Sequence, residues 1–127
     1  MCTILLVDDD ADLRELWTLV LEAEGHRVVT AADGVAGMAS YDKEPPDVVI
    51  TDLQLPRLPG LALIARMRSR QADARIIAVS GNNAKLREST GLGASTALSK
   101  PVRISALVAA VRSLVPDERR DSDSATR

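Results

Sequence analysis

The chain has 127 residues, enough for one domain and one core, and its 46% hydrophobic and 27% charged content excludes a disordered polypeptide. With no Phe, one Trp and one Tyr, that core must be filled by Leu, Ile, Val and Ala. Sixteen basic residues against eighteen acidic ones give a net charge of −2, and the basic residues are scattered, so no nucleic-acid-binding patch is expected.

At the start, Cys2 is the sole cysteine, which excludes an intramolecular disulfide and fits a reducing, cytoplasmic setting. Met1 leads into an apolar run without a charged leader or cleavage site, so no signal peptide is expected. No apolar stretch approaches the ~20 residues that cross a bilayer, and no membrane partner is expected either. Residues 3–7 predict a first strand, stopped by Asp8, Asp9 and Asp10. A helix should follow from Ala11, with Leu13, Leu16, Trp17 and Val20 on its inner face, Asp9 or Asp10 as its cap and Gly25 as its stop. His26 stands alone after that Gly and is given no function.

Residues 27–31 predict a second strand, and Asp33-Gly34 opens a helix running past Tyr41 to a stop at Pro45-Pro46. Val48, Val49 and Ile50 are β-branched and continuously apolar, the pattern of a strand covered on both faces, and Asp52 stands where it should end. Pro56 and Pro59-Gly60 force a loop. Next come a helix at 61–70, with Leu61, Ile64, Ala65 and the stem of Arg68 inward, and a fourth strand at 75–79 ending at Ser80-Gly81. A polar helix at 83–89, broken by Gly91 and Gly93, precedes a fifth strand at 96–99 that ends at Lys100-Pro101. The last helix, 104–114, carries Leu107, Val108, Val111 and Leu114 on one face. Residues 1–115 therefore read as one domain, and 116–127, without a large hydrophobe, as a disordered polar tail or truncated linker.

Five strands alternating with five helices predict an α/β fold: a doubly wound parallel sheet with helices on both faces. Ligands bind such sheets outside the carboxyl ends of the strands. Four strands here end in chemically specific groups, namely Asp8 with Asp9, Asp52, Ser80 and Lys100. Three carboxylates in one cleft repel one another unless a cation lies among them, and oxygen donors alone suit Mg²⁺, or Mn²⁺ in its place, better than Zn²⁺. A lysine ammonium and a serine hydroxyl on the opposite rim are what a phosphoryl group needs. Asp52, on the central strand, is then the nucleophile that becomes an acyl phosphate.

With Val7-Asp8-Asp9, Thr51-Asp52-Leu53-Gln54-Leu55-Pro56 followed by Gly60, Ser80-Gly81, Gly93-Ala94 and Ser99-Lys100-Pro101, the sequence resembles the receiver domain of two-component response regulators. The resemblance implies a flavodoxin-like (βα)5 fold with sheet order 2-1-3-4-5. It also implies phosphotransfer to Asp52 from the phosphohistidine of a sensor histidine kinase or a phosphotransfer protein. Mg²⁺ would be held by Asp9, Asp52 and the backbone carbonyl of Gln54, with Asp8 acting through water. Ser80 and Lys100 would contact the phosphoryl oxygens, the Lys100-Pro101 bond would be cis, and Gln54 and Asn82 would tune the lifetime of the acyl phosphate. The readout would be a change in binding to a downstream protein or a fused output domain.

One position departs from the family. Receivers place Tyr or Phe three residues before the lysine, and here that residue is Ala97, which has no ring to reorient. The expectation is that phosphorylation moves Ser80 and the segment 81–91 and that the signal leaves through that loop and helix alone, or through a different face. A receiver catalyses only its own phosphorylation and dephosphorylation, so it is not expected to turn over a separate substrate. Two other readings compete. A phosphohydrolase of the haloacid-dehalogenase type would need a second Asp at position 54, where this chain has Gln. A phosphorylation-independent, receiver-like scaffold would show no Mg²⁺ response.

Overall fold

A computed structural model describes residues 2–115, so the expected polar tail at 116–127 lies outside the described residues. The elements run β1 (Thr3–Val7), α1 (Ala11–Ala23), β2 (Arg27–Ala31), α2 (Gly34–Lys43), β3 (Val48–Asp52), α3 (Gly60–Arg70), β4 (Ile76–Ser80), α4 (Asn83–Gly91), β5 (Thr96–Ser99) and α5 (Ile104–Leu114). All five strands are parallel and form one sheet in the order β2-β1-β3-β4-β5. This is the doubly wound, flavodoxin-like arrangement that the sequence predicts.

The strand period of two divides the core. Ile4 and Leu6 of β1, Val48 and Ile50 of β3, and Ile77 and Val79 of β4 point to one face, where Trp17, Leu21, Leu107 and Val111 of α1 and α5 cover them. Leu5, Val7, Val49, Ile76 and Ala78 point to the other face, under Met38 and Tyr41 of α2, Leu63, Ile64 and Met67 of α3 and Leu86 of α4. The central strands β3 and β4 are buried throughout, whereas the edge strands β2 and β5 are half exposed. Strands covered on both sides can be continuously apolar, which is why 48–50 and 76–79 carry no polar alternation.

Two helices are rotated from their expected setting. In α1 the inner stripe is Trp17 and Leu21 with half-buried Leu13, while Leu16 is 47% exposed and Leu19 62%. The apolar arc of this helix is wider than the face the sheet covers, and the bulkier Trp17 takes the centre. In α3 the buried residues are Gly60, Leu63, Ile64 and Met67, whereas Leu61 is half-buried and Ala65 exposed. A Cβ on Gly60 would run into the Asp52 carbonyl and the Leu53 backbone, so the first turn lies directly on the end of β3 and fixes the rotation. Arg68 is half-buried, its guanidinium donating to the carbonyls of Ala72 and Gly93.

The helix ends follow local chemistry. The Asp10 carboxylate accepts from the Asp12 and Leu13 amides at the start of α1, and Asp33 does the same for Ala36 in α2. After α1, Gly25 takes φ +93°, a left-handed turn that favours glycine. Among the described residues no helix is long and apolar enough to cross a membrane.

Candidate functional site

Register alone sets Asp8 beside Asp52. Val7 pairs with Thr51 across β1 and β3, and the next residue on each strand is an aspartate. Asp52 in turn pairs with Val79, and Ser80 pairs with Ser99, so Ser80 and Lys100 sit one step further along on β4 and after β5. The strand ends therefore converge as the sequence required. Carboxylate oxygens of Asp8, Asp9 and Asp52 all lie within 4.8 Å of one another, Asp8 and Asp52 buried and Asp9 exposed.

Each buried acid is held by a backbone donor on one oxygen and by lysine on the other. The Asp10 amide donates to Asp8 Oδ1 at 2.9 Å, and the Gln54 amide to Asp52 Oδ1 at 2.9 Å. Lys100 Nζ donates to Asp52 Oδ2 at 2.8 Å and to Asp8 Oδ2 at 3.4 Å. Burial pushes the Asp8 carboxyl above its ordinary range. The Asp10 amide and the Lys100 charge oppose this, while the Asp52 charge adds to it. Burial works against the Lys100 ammonium, but its hydrogen bond to Asp52 and the charges of Asp8 and Asp52 outweigh that and raise its pKa.

On the opposite rim, Ser80 is fully buried and its Oγ accepts from the Asn82 amide at 3.0 Å. The Asn82 side chain accepts from the Lys85 amide at 3.1 Å and caps α4, so Ser80 and α4 are joined through one residue. The Gln54 side chain is exposed next to Asp52. Ala97 is exposed on β5, opposite Ala78, and the Lys100-Pro101 peptide bond is cis. Pattern reading gave no role to Arg14. Its Nη1 donates to the Asp8 carbonyl at 2.7 Å, a contact to a residue six positions back that leaves no periodic trace. The chemistry of the donors fits a hard divalent cation: three carboxylates, no His or Cys, with an ammonium already bridging two of them.

A family model described as the response regulator receiver domain matches residues 4–112. Response regulator MprA of Mycobacterium sp. (strain KMS) is 35% identical over 97% of this chain and 56% of its own length, so the chain spans about half the length of such curated relatives. Sporulation initiation phosphotransferase F of Bacillus subtilis is 33% identical over 89% of this chain and 93% of that protein. Chemotaxis protein CheY4 of Vibrio cholerae has a solved structure that superposes with a TM-score of 0.83 at 28% identity, covering 91% of this chain and 99% of that one. These matches lend no support to a phosphohydrolase. Matched across nearly all of its described length, the chain belongs to the response regulator receiver domain family of two-component signal transduction.

Proposed function

We propose that Asp52 accepts a phosphoryl group from the phosphohistidine of a sensor histidine kinase or a phosphotransfer protein. A carboxylate oxygen of Asp52 bonds to phosphorus as the phosphorus–nitrogen bond breaks, and the leaving imidazole keeps the electron pair. The observation that carries this is the Lys100–Asp52 contact of 2.8 Å inside a cleft that also gathers Asp8 and Asp9. Mg²⁺, or Mn²⁺, would be held by Asp9, Asp52 and the Gln54 carbonyl, with Asp8 acting through water. When bound, such an ion would supply charge neutralisation for the phosphoryl oxygens.

Lys100 would leave Asp8 and follow the new phosphoryl oxygens, and the Ser80 hydroxyl would donate to another of them. That donation turns Ser80 toward the phosphoryl group and pulls on Asn82, the α4 cap. Gln54 and Asn82, both exposed, would govern how water reaches the acyl phosphate. The chain catalyses its own phosphorylation and dephosphorylation and turns over no other substrate. The downstream target is a protein partner or an attached output domain, with no nucleic acid bound by this domain and no membrane partner. The sole cysteine fits a cytoplasmic setting.

The test is the intact mass after incubation with acetyl phosphate and Mg²⁺. The native chain should gain one phosphoryl group and Asp52→Asn none. Uptake by the variant, or none by the native chain, would overturn the reading.

A further inference from the structure

We propose that Arg14 is a positioning residue for the divalent-cation pocket, an inference that rests on the Mg²⁺-dependent function above. Asp9 is the one acid of the three that is exposed. The backbone that carries it is anchored on both sides. The Asp8 amide donates to the Ala31 carbonyl at 3.1 Å, and the Asp10 amide donates to Asp8 Oδ1 at 2.9 Å. Beyond these, the Asp8 carbonyl, which belongs to the peptide linking Asp8 to Asp9, accepts from Arg14 Nη1 at 2.7 Å. Arg14 stands on the first turns of α1, whose cap is Asp10, and its own amide donates to the Asp10 carbonyl at 3.0 Å.

The guanidinium thus closes a small ring. The helix is capped by Asp10, and its Arg14 side chain returns to grip the carbonyl of Asp8. The peptide between Asp8 and Asp9 cannot rotate while that charge-assisted bond holds, and rotation of that peptide would swing the Asp9 carboxylate away from Asp8 and Asp52. Arg14 touches neither cation nor phosphoryl group. It fixes where the second acid points.

Calorimetric titration with Mg²⁺ of the native chain, Arg14→Met and Arg14→Lys tests this, with hydrogen exchange of each protein beside it. Partners that orient metal ligands are typically worth about 10- to 100-fold in affinity, so Arg14→Met should bind Mg²⁺ at least about tenfold more weakly. Arg14→Lys, which keeps a charged donor, should recover part of the loss. Exchange in Arg14→Met should rise at the Asp9 and Asp10 amides while β1 and β3 stay protected. Phosphorylation of Arg14→Met should approach the native rate once Mg²⁺ is saturating. Equal Mg²⁺ affinity in native chain and Arg14→Met would overturn this inference alone. So would exchange that rises throughout β1 and β3, since Arg14 would then be supporting the fold. Failure of the native chain itself to bind Mg²⁺ would overturn the proposed function and this inference together.

Discussion

The Lys100 ammonium bridges two buried carboxylates, 2.8 Å from Asp52 and 3.4 Å from Asp8. Asp8 and Asp52 end neighbouring strands, and Lys100 reaches them from beyond β5, the far edge of the sheet. Positive charge therefore already lies between the two buried acids, within reach of the proposed acceptor oxygen of Asp52.

Titration follows from this arrangement. Asp8 holds its proton to a higher pH in the fold than in the unfolded chain, where an aspartate titrates near about 3.9. Between that value and its raised folded one the native state binds more protons, so the Asp8 contribution to stability falls as pH rises through the window. Asp8→Asn should raise the urea midpoint at pH 7.5, with the gain shrinking as pH approaches 4. A gain that is flat with pH would contradict the assignment. Lys100 follows the same sense in a more alkaline window. Its stabilisation is complete below about 10.4 and is lost as pH rises through its higher folded value.

Gly60 seats α3 on the strand end that bears Asp52. Gly60→Ala forces a methyl group against the Asp52 carbonyl and should destabilise the chain by about 1–3 kcal/mol. It should also slow phosphoryl uptake, because the acceptor strand must shift. Gly91, at the end of α4, has open space around its Cβ position, and Gly91→Ala should be neutral or stabilising by up to about 1 kcal/mol. Urea denaturation of the two variants makes the comparison.

The rotation of α1 exchanges two leucines: the expected inner face held Leu16, and the fold buries Leu21 instead. Leu16→Lys, on the exposed face, should change stability by less than about 0.5 kcal/mol. Leu21→Ala, fully buried against Trp17 and α5, should cost about 2–5 kcal/mol. A large loss at Leu16 would mean that α1 packs in the other rotation.

Without a ring at position 97, the response to phosphorylation should travel from Ser80 through Asn82 into α4. Hydrogen exchange with and without beryllofluoride and Mg²⁺ should change across 81–91, and an unchanged 81–91 with an altered α1 would contradict this route. Coupling of this kind is worth about 1–3 kcal/mol, or 5- to 150-fold in partner affinity. Ala97→Tyr sits on an exposed edge and should alter stability by less than about 0.5 kcal/mol.

Read alone, the amino-acid order determined every strand and helix and the chemical group at the end of four of the five strands. Those signals are local: apolar runs at 48–50 and 76–79, aspartates ahead of α1 and α2, and Gly or Pro where elements stop. Parallel topology then brings the carboxyl ends together whatever the details, so the acidic cleft was legible as well. Folding in three dimensions decided what depends on contacts between distant segments. Close approach of Gly60 to β3 turned α3 so that Leu63 and Met67, rather than Leu61 and Ala65, went inside. Trp17 took the centre of α1 and left Leu16 in solvent. The grip of Arg14 on the Asp8 carbonyl and the bridge of Lys100 between two acids arise only when the chain has closed around them, because no periodicity records where a long side chain finds its acceptor.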